Sequence, residues 1–155
     1  MLIEFKRLHN GDIQNALNLV WSVFQEFEAP DYSEQGVSEF EGFINIYSII
    51  KMMDRKEIAF WGCYYNAALV GVIATIGKSH ISLFFVQKEY HRQGIGRQLF
   101  QAMIDACKND ESIKRFTVNS SPYATEVYHR LGFVDTDKEK TVNGIRFTPM
   151  EYLIV

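Results

Sequence analysis

Apolar positions change their period several times along the chain, and each change marks an element. Residues 2–8 alternate and predict a first strand. Asn10-Gly11-Asp12 supplies a turn and a helix cap. Ile13, Leu17, Val20, Trp21, Phe24 and Phe27 then recur at helical spacing, which predicts an amphipathic helix to about residue 27. Ala29-Pro30-Asp31-Tyr32-Ser33 reads as a loop. Phe40, Phe43, Ile44 and Tyr47 predict a second helix, with 49–53 adding a further turn or so. Residues 57–65 and 68–77 predict two strands around the hairpin turn Asn66-Ala67-Ala68. A strand over 80–86, a helix over 94–108 and a strand over 114–118 follow. Residues 122–131 predict a short helix. Gly132-Phe133-Val134 opens a strand, and 145–154 form the last one after the turn Val142-Asn143-Gly144. The order is β-α-α-β-β-β-α-β-α-β-β. Strands 80–86 and 114–118 flank a crossover helix, so they should be parallel neighbours.

The strand over 80–86 leads into a polar turn, His91-Arg92-Gln93-Gly94-Ile95-Gly96-Arg97, whose Gly-x-Gly opens the helix. Such glycines let a ligand come close and let successive N–H groups point into one hollow. The unpaired N–H groups of a first helical turn and the helix dipole favour an anion, usually phosphate. Arg92 and Arg97 add positive charge. A dinucleotide fingerprint would need a third glycine where Leu99 stands, and a Walker loop would need Gly-Lys-Ser/Thr; neither is present. A strand-to-helix turn with glycines for geometry alone remains open on the Gly-x-Gly by itself.

Composition narrows the ligand. The 155 residues suit one domain, residues 1–155, and 47% apolar with 14% aromatic residues excludes a disordered chain. A net charge of −3 without a basic stripe argues against nucleic acid, so Arg92 and Arg97 suit a small anion. No apolar run reaches the roughly 18 residues of a membrane helix. The first residues lack the pattern of a signal peptide, so a cytoplasmic setting is expected. Cys63 and Cys107 are read as free thiols in a reducing compartment. Asn119-Ser120-Ser121 matches a glycosylation sequon, which means nothing without secretion.

A second pattern follows at a distance: Phe116-Thr117-Val118-Asn119-Ser120-Ser121, then Tyr128-His129-Arg130-Leu131-Gly132-Phe133. Tyr128 and Leu131 lie one turn apart and Gly132 ends the helix, so Tyr128 alone would read as a packed aromatic. The strand, the turn and Gly94-x-Gly96 resemble the acyl-CoA-binding motif of the GNAT superfamily of N-acetyltransferases. Tyr-x-x-x-Gly-Phe resembles its second motif. His91 stands where that pattern has Gln or Arg, and Ser121 where many relatives have Asn, with Asn119 two residues earlier.

The resemblance implies an α/β (α+β) fold: a mixed, mostly antiparallel sheet of about six to seven strands with a splayed parallel pair, flanked by about four helices. It implies acetyl-CoA as cosubstrate and direct attack by a primary amine on its thioester. Phe85, Val86, His91, Arg92, Gln93, Gly94, Ile95, Gly96 and Arg97, with Asn119 or Ser121, would bind CoA. A bulge is expected at about 83–86, where a free N–H could stabilise an oxyanion. Tyr128 would assist thiolate departure. His80 would take the amine proton, because several relatives carry a catalytic Glu at that strand position; a surface histidine at a strand end is the alternative. Glu26, Glu28, Asp31, Tyr32 and Glu34 come from the region that covers the acceptor in relatives, and a solvated acidic face is the plainer account of them. No metal is expected. The acceptor is a small-molecule or peptide amine, with neither nucleic acid nor membrane as partner and a homodimer as the candidate assembly. The other class left open is a non-catalytic acetyl-CoA-binding regulatory module on the same fold.

Overall fold

The computed structural model describes residues 2–154; Met1 and Val155, the ends of the expected domain, lie outside the described residues. The chain runs β1 (Ile3–Arg7), α1 (Ile13–Phe27), α2 (Glu34–Phe43), α3 (Ile46–Asp54), β2 (Ile58–Tyr65), β3 (Ala68–Ile76), β4 (His80–Val86), α4 (Ile95–Cys107), β5 (Arg115–Ser120), α5 (Thr125–Leu131), β6 (Val134–Asp135), β7 (Lys140–Val142) and β8 (Ile145–Leu153). The strands lie in the order β1-β2-β3-β4-β5-β8-β6, with β7 bonded to β8. Every pairing is antiparallel except β4 with β5. This is the mixed sheet with one parallel pair that the resemblance implied.

The sheet separates two cores. On one face α1 buries Leu17, Val20 and Phe24 against Phe60, Val72, Leu83 and Phe85. On the other, Ile95, Leu99 and Met103 of α4 pack with Ile73, Ile81, Phe116 and Val118, and with Tyr128 and Leu131 of α5. Strands β2 to β4 are therefore covered on both sides, and their apolar residues leave little of the alternation seen at the chain's start, whereas β5 keeps it with Phe116 and Val118 buried and Arg115 and Asn119 exposed.

Two expectations are corrected. The segment expected as one helix is two, which raises the helices from four to five among the described residues. Asn45 is the cause: its side-chain oxygen accepts from the N–H of Tyr47 (3.0 Å) and of Ser48 (3.2 Å) and starts α3 afresh. Ser33 caps α2 in the same way through Gly36 N–H at 3.2 Å. The sheet also holds eight strands rather than six or seven. The addition is β7, a short exposed strand joined to β8 by the two-residue turn Asn143-Gly144, whose left-handed backbone fits the strand twist.

Helix α5 ends where Gly132 turns left-handed at φ 110°. Its N–H donates to His129 O (3.1 Å), and Phe133 N–H donates to Tyr128 O (3.0 Å). That reversal folds the Phe133 ring back against Tyr128, with centroids 5.3 Å apart. An L-residue in the left-handed region costs about 1–2 kcal/mol. A Cβ at this position would also sit 3.1 Å from the Tyr152 ring. Gly132→Ala should therefore lower unfolding free energy by at least about 1 kcal/mol in urea denaturation; unchanged stability would contradict this account of the helix end.

Candidate active site

Strands β4 and β5 pair over only two registers, His80↔Thr117 and Ile81↔Val118. Thr117 N–H donates to Ser79 O at 2.9 Å. Alternation then turns the polar backbone of Asn119 and Ser121, like that of Thr117, toward β4. On β4 the parity changes. Ala74 pairs Leu83 while Thr75 pairs Ile81, so Ser82 is an extra residue, a bulge. Gln87 N–H donates to Val70 O at 2.8 Å. By ladder alternation Leu83 and Phe85 then bond β3, and Phe84 and Val86 turn their N–H and C=O toward β5. Among the described residues β5 supplies no pair for them. The result is a wedge between two strands with open backbone edges.

The bulge was expected at about 83–86 and lies at Ser82, which changes one expected contact. Phe85 bonds Val72 through its backbone and buries its ring in the α1 core, so it does not face the wedge. Phe84 takes that place. The backbone of Val86, Asn119 and Ser121 turns toward it.

Past the wedge the chain turns through Lys88–Tyr90 into α4. His91 N–H donates to Lys88 O at 3.1 Å, so it is not free for a ligand. Among the described residues the backbone N–H groups from Arg92 to Arg97 donate to no protein acceptor. With Arg92 and Gly94 both left-handed (φ 62° and 80°), they line the hollow that an anion needs. Gly94 is required by that backbone. Gly96 is not: a Cβ there would meet Phe84 at an ordinary 3.7 Å. Ile95 is buried beneath as an anchor. The side chains of the loop are mostly committed. Gln93 donates to Glu89 O at 2.9 Å and Arg97 to Arg130 O at 2.8 Å, which ties α4 to α5. His91 Nε2 lies 2.6 Å from Val86 O. Arg92 is exposed, and its charge reaches Tyr123.

The open end of the wedge is ringed by aromatics. Phe27, at the end of α1, packs on His91 beyond β4 (centroids 5.1 Å) and on Tyr123 beyond β5 (5.0 Å). Tyr128 is buried and its ring meets Phe84 at 6.0 Å. Burial first, then the charge of Glu28, push its phenol well above the usual range, so it stays protonated and can donate a hydrogen bond. A surface concavity of about 430 Å³ lies outside this ring, between α1 and the Lys88–Tyr90 turn.

Glu28 lies at the cap of α1 beside Phe27. The residue keeps some exposure, but its carboxyl is enclosed, and burial pushes its pKa up to about 7. The nearby Ser121 hydroxyl opposes that rise, and Asp31 adds to it. Burial and the charge of Glu28 likewise raise Tyr32, while Arg146 on β8 lowers it. Arg146 lies 3.8 Å from Asp31 and 3.2 Å from Glu139. Glu28 thus joins β5, α5 and the α1–α2 connection. In the sequence it stood only as one acid among several, because its enclosure depends on Ser121, 93 positions later.

His80 sits in the closed part of the parallel pair, half-buried, with Nδ1 2.8 Å from Thr117 Oγ1. Burial lowers its pKa, which keeps the ring neutral at pH 7. Phe84 lies four positions further on, about 13 Å along an extended strand. Among the described residues no group of His, Cys, Asp and Glu is placed to hold a metal ion. Cys63 and Cys107 are free thiols.

Residues 28–154 match the family model described as an acetyltransferase (GNAT) domain. A curated relative, UPF0157 protein YqkA of Bacillus subtilis (strain 168), is 28% identical over 122 residues; the match covers 76% of this chain. The match spans only 36% of the relative's own length. Among solved structures, a GCN5-related N-acetyltransferase from Rhodopseudomonas palustris superposes with a TM-score of 0.81 at 17% identity, covering 99% of both chains. The PaiA N-acetyltransferase from Thermoplasma acidophilum, in complex with coenzyme A, superposes at 0.77 and 20% identity, covering 99% of this chain and all of the other.

The enclosed Glu28 carboxyl has a consequence for stability. Its pKa is raised in the folded chain, so the fold binds a proton that the unfolded chain has released between about pH 4.5 and 7. Stability from this group is therefore present below pH 4.5 and is lost as pH rises through 7. Glu28→Gln keeps the shape without the charge. It should be more stable than the parent at pH 8, by up to about 3 kcal/mol, and nearly equal to it at pH 4.5. Denaturation curves at the two pH values check this; an equal difference at both would contradict it.

Proposed function

This chain belongs to the GNAT acetyltransferase family, and from that premise we propose that it transfers the acetyl group of acetyl-CoA to a primary amine by direct attack in a ternary complex. The observation that carries the proposal is the open wedge between β4 and β5, with a turn of unpaired N–H groups at its open end and a buried tyrosine beside it.

The fit is one of backbone chemistry. Phe84, Val86, Asn119 and Ser121 offer the donors and acceptors that an extended amide-bearing chain would pair with, as an added strand does. The N–H groups from Arg92 to Arg97, with the dipole of α4 and the charge of Arg92, suit a pyrophosphate. Acetyl-CoA carries both features and supplies the activated acyl group. The N–H of Phe84 or Val86 is the candidate oxyanion donor.

In the reaction the amine lone pair attacks the thioester carbonyl carbon and the carbon–sulfur bond breaks. The sulfur leaves as thiolate and takes a proton, and the nitrogen loses one, so an amide and a free thiol result. Tyr128 is the proposed partner of the departing sulfur. A phenol raised by burial is a poor acid for a thiolate near pKa ~8.5, so its contribution is a strong hydrogen bond rather than full transfer. The amine proton has two candidate acceptors, His80 and Glu28. Residues 1–155 are proposed to act as one transfer unit on a small-molecule or peptide amine, in a reducing cytoplasm that suits the free thiols.

Thiol release from acetyl-CoA over a panel of polyamines, amino acids, aminoglycosides and peptide N-termini tests the proposal. Tyr128→Phe should keep CoA affinity within about twofold and lower turnover about 100-fold. CoA binding without turnover across the panel would favour the regulatory module instead; full activity in Tyr128→Phe, with chemistry rate-limiting, would remove Tyr128 from the mechanism.

A further inference from the structure

We propose that a concavity between the end of β1 and the loop after α4 is a second ligand site, and that it takes a small zwitterion of the α-amino acid class. The site is separate from the wedge and does not depend on the transferase reading.

The concavity, of about 830 Å³, opens on the α4 side of the sheet. Ala59 and Trp61 of β2 and Thr75 of β3 form its floor, with Arg7 of β1 at one edge. The end of α4 and residues 109–113 form the opposite wall. Strand β1 lies three strands from β4, about 14 Å across the sheet. The zipped registers at His80 and Ile81 stand between the Gly77-Lys78 turn and the open part of the wedge.

The polar groups of the floor and edge lack protein partners. Thr75 is only 2% exposed, yet its hydroxyl makes no hydrogen bond to another described residue. No fully enclosed side-chain polar atom among the described residues is without a partner, so this hydroxyl opens into the concavity. A hydroxyl so placed gains from a ligand that bonds it. The Arg7 guanidinium lies over the Trp61 ring, 5.1 Å from the centroid. Stacking uses the face of that group and leaves its edge donors free. No ion pair engages them among the described residues.

Charge divides the concavity into two sides. At the rim Lys78 Nζ lies 3.1 Å from Asp110 and donates to Ser112 Oγ at 3.3 Å, and Asp110 accepts from Ser112 N–H at 3.0 Å. Lys78 and Asp110 therefore neutralise each other. Arg7 remains on the β1 side. On the other side remain Glu111, which is in no ion pair among the described residues, and the negative end of the α4 dipole at Cys107. A carboxylate matches the fork of Arg7 with two parallel N–H···O bonds, and the Thr75 hydroxyl can donate to the same group. An ammonium matches the opposite side. A phosphate would bring a second negative charge toward Glu111 and Asp110, so a carboxylate is the better anion. An apolar side chain would rest on Ala59, Ala106 and Ile113.

L-leucine is the probe, added to the full chain without acetyl-CoA so that no transfer competes. Amide NMR should show one saturable set of shifts centred on Arg7, Thr75 and residues 107–113. Arg7→Met keeps an apolar stem over Trp61 and removes the fork, and should raise the Kd at least about tenfold. Thr75→Val keeps the shape and should raise it about threefold or more. Leucinamide, which lacks the carboxylate, and 4-methylpentanoate, which lacks the ammonium, should each bind at least about tenfold more weakly than leucine. Shifts confined to the wedge, no saturation by about 10 mM leucine, or an equal Kd in parent and Arg7→Met overturns the site. A 4-methylpentanoate Kd equal to that of leucine overturns the zwitterion.

Discussion

One extra residue in one strand decides how this molecule meets a ligand. Ser82 has no partner of its own on β3, and from that point the backbone of β4 exchanges its two edges. Ile81 turns toward β5, as the short parallel ladder requires, yet Leu83 turns back toward β3. The pair that opens at Ile81 therefore presents Phe84 and Val86 to the gap. Buried polar backbone that finds no protein partner is costly. A gap so lined is stable when solvent or an extended ligand can reach it, and both cores of the sheet lie on either side to hold its walls apart.

Groups of opposite charge meet around the open end of the gap. The turn after β4 contributes unpaired N–H groups, the start of α4 and Arg92. The end of α1 and the segment after β5 contribute the Glu28 carboxyl, Asp31 and three tyrosines. Phe27 joins the two groups, since its ring touches His91 and Tyr123 across the gap. The β7–β8 hairpin braces the acidic group: Ser33 N–H donates to Gly144 O at 3.4 Å, and Arg146 reaches Asp31.

Much of this was legible in the sequence for identifiable physical reasons. The period of α1 and α4, the Gly94-x-Gly96 opening and the Tyr128 to Phe133 ending are local patterns that sterics and capping write directly into the chain. The parallel pair followed from a crossover helix between two strands. What the sequence hid depends on contacts between distant residues. The bulge parity, which exchanged Phe84 for Phe85, is set by pairing with β3. The side chains of His91 and Arg97, expected beside a bound CoA, are held by Val86 O and Arg130 O. Glu28 read as a solvated acid until Ser121 and the aromatic ring enclosed it. Asn45 could have been found, since Asn ahead of a helical run is a known cap, but the apolar spacing across 40–53 masked the break.

The central claim is that this open pair of strands, and not another surface, receives the CoA moiety. Amide hydrogen exchange of the full chain with and without CoA tests it most directly. The account requires slowed exchange at Phe84, at Val86 and from Arg92 to Arg97, because those N–H groups gain acceptors only when the ligand is bound. Unchanged exchange at those amides in the saturated protein, or protection confined to the concavity between α1 and the Lys88–Tyr90 turn, would contradict it.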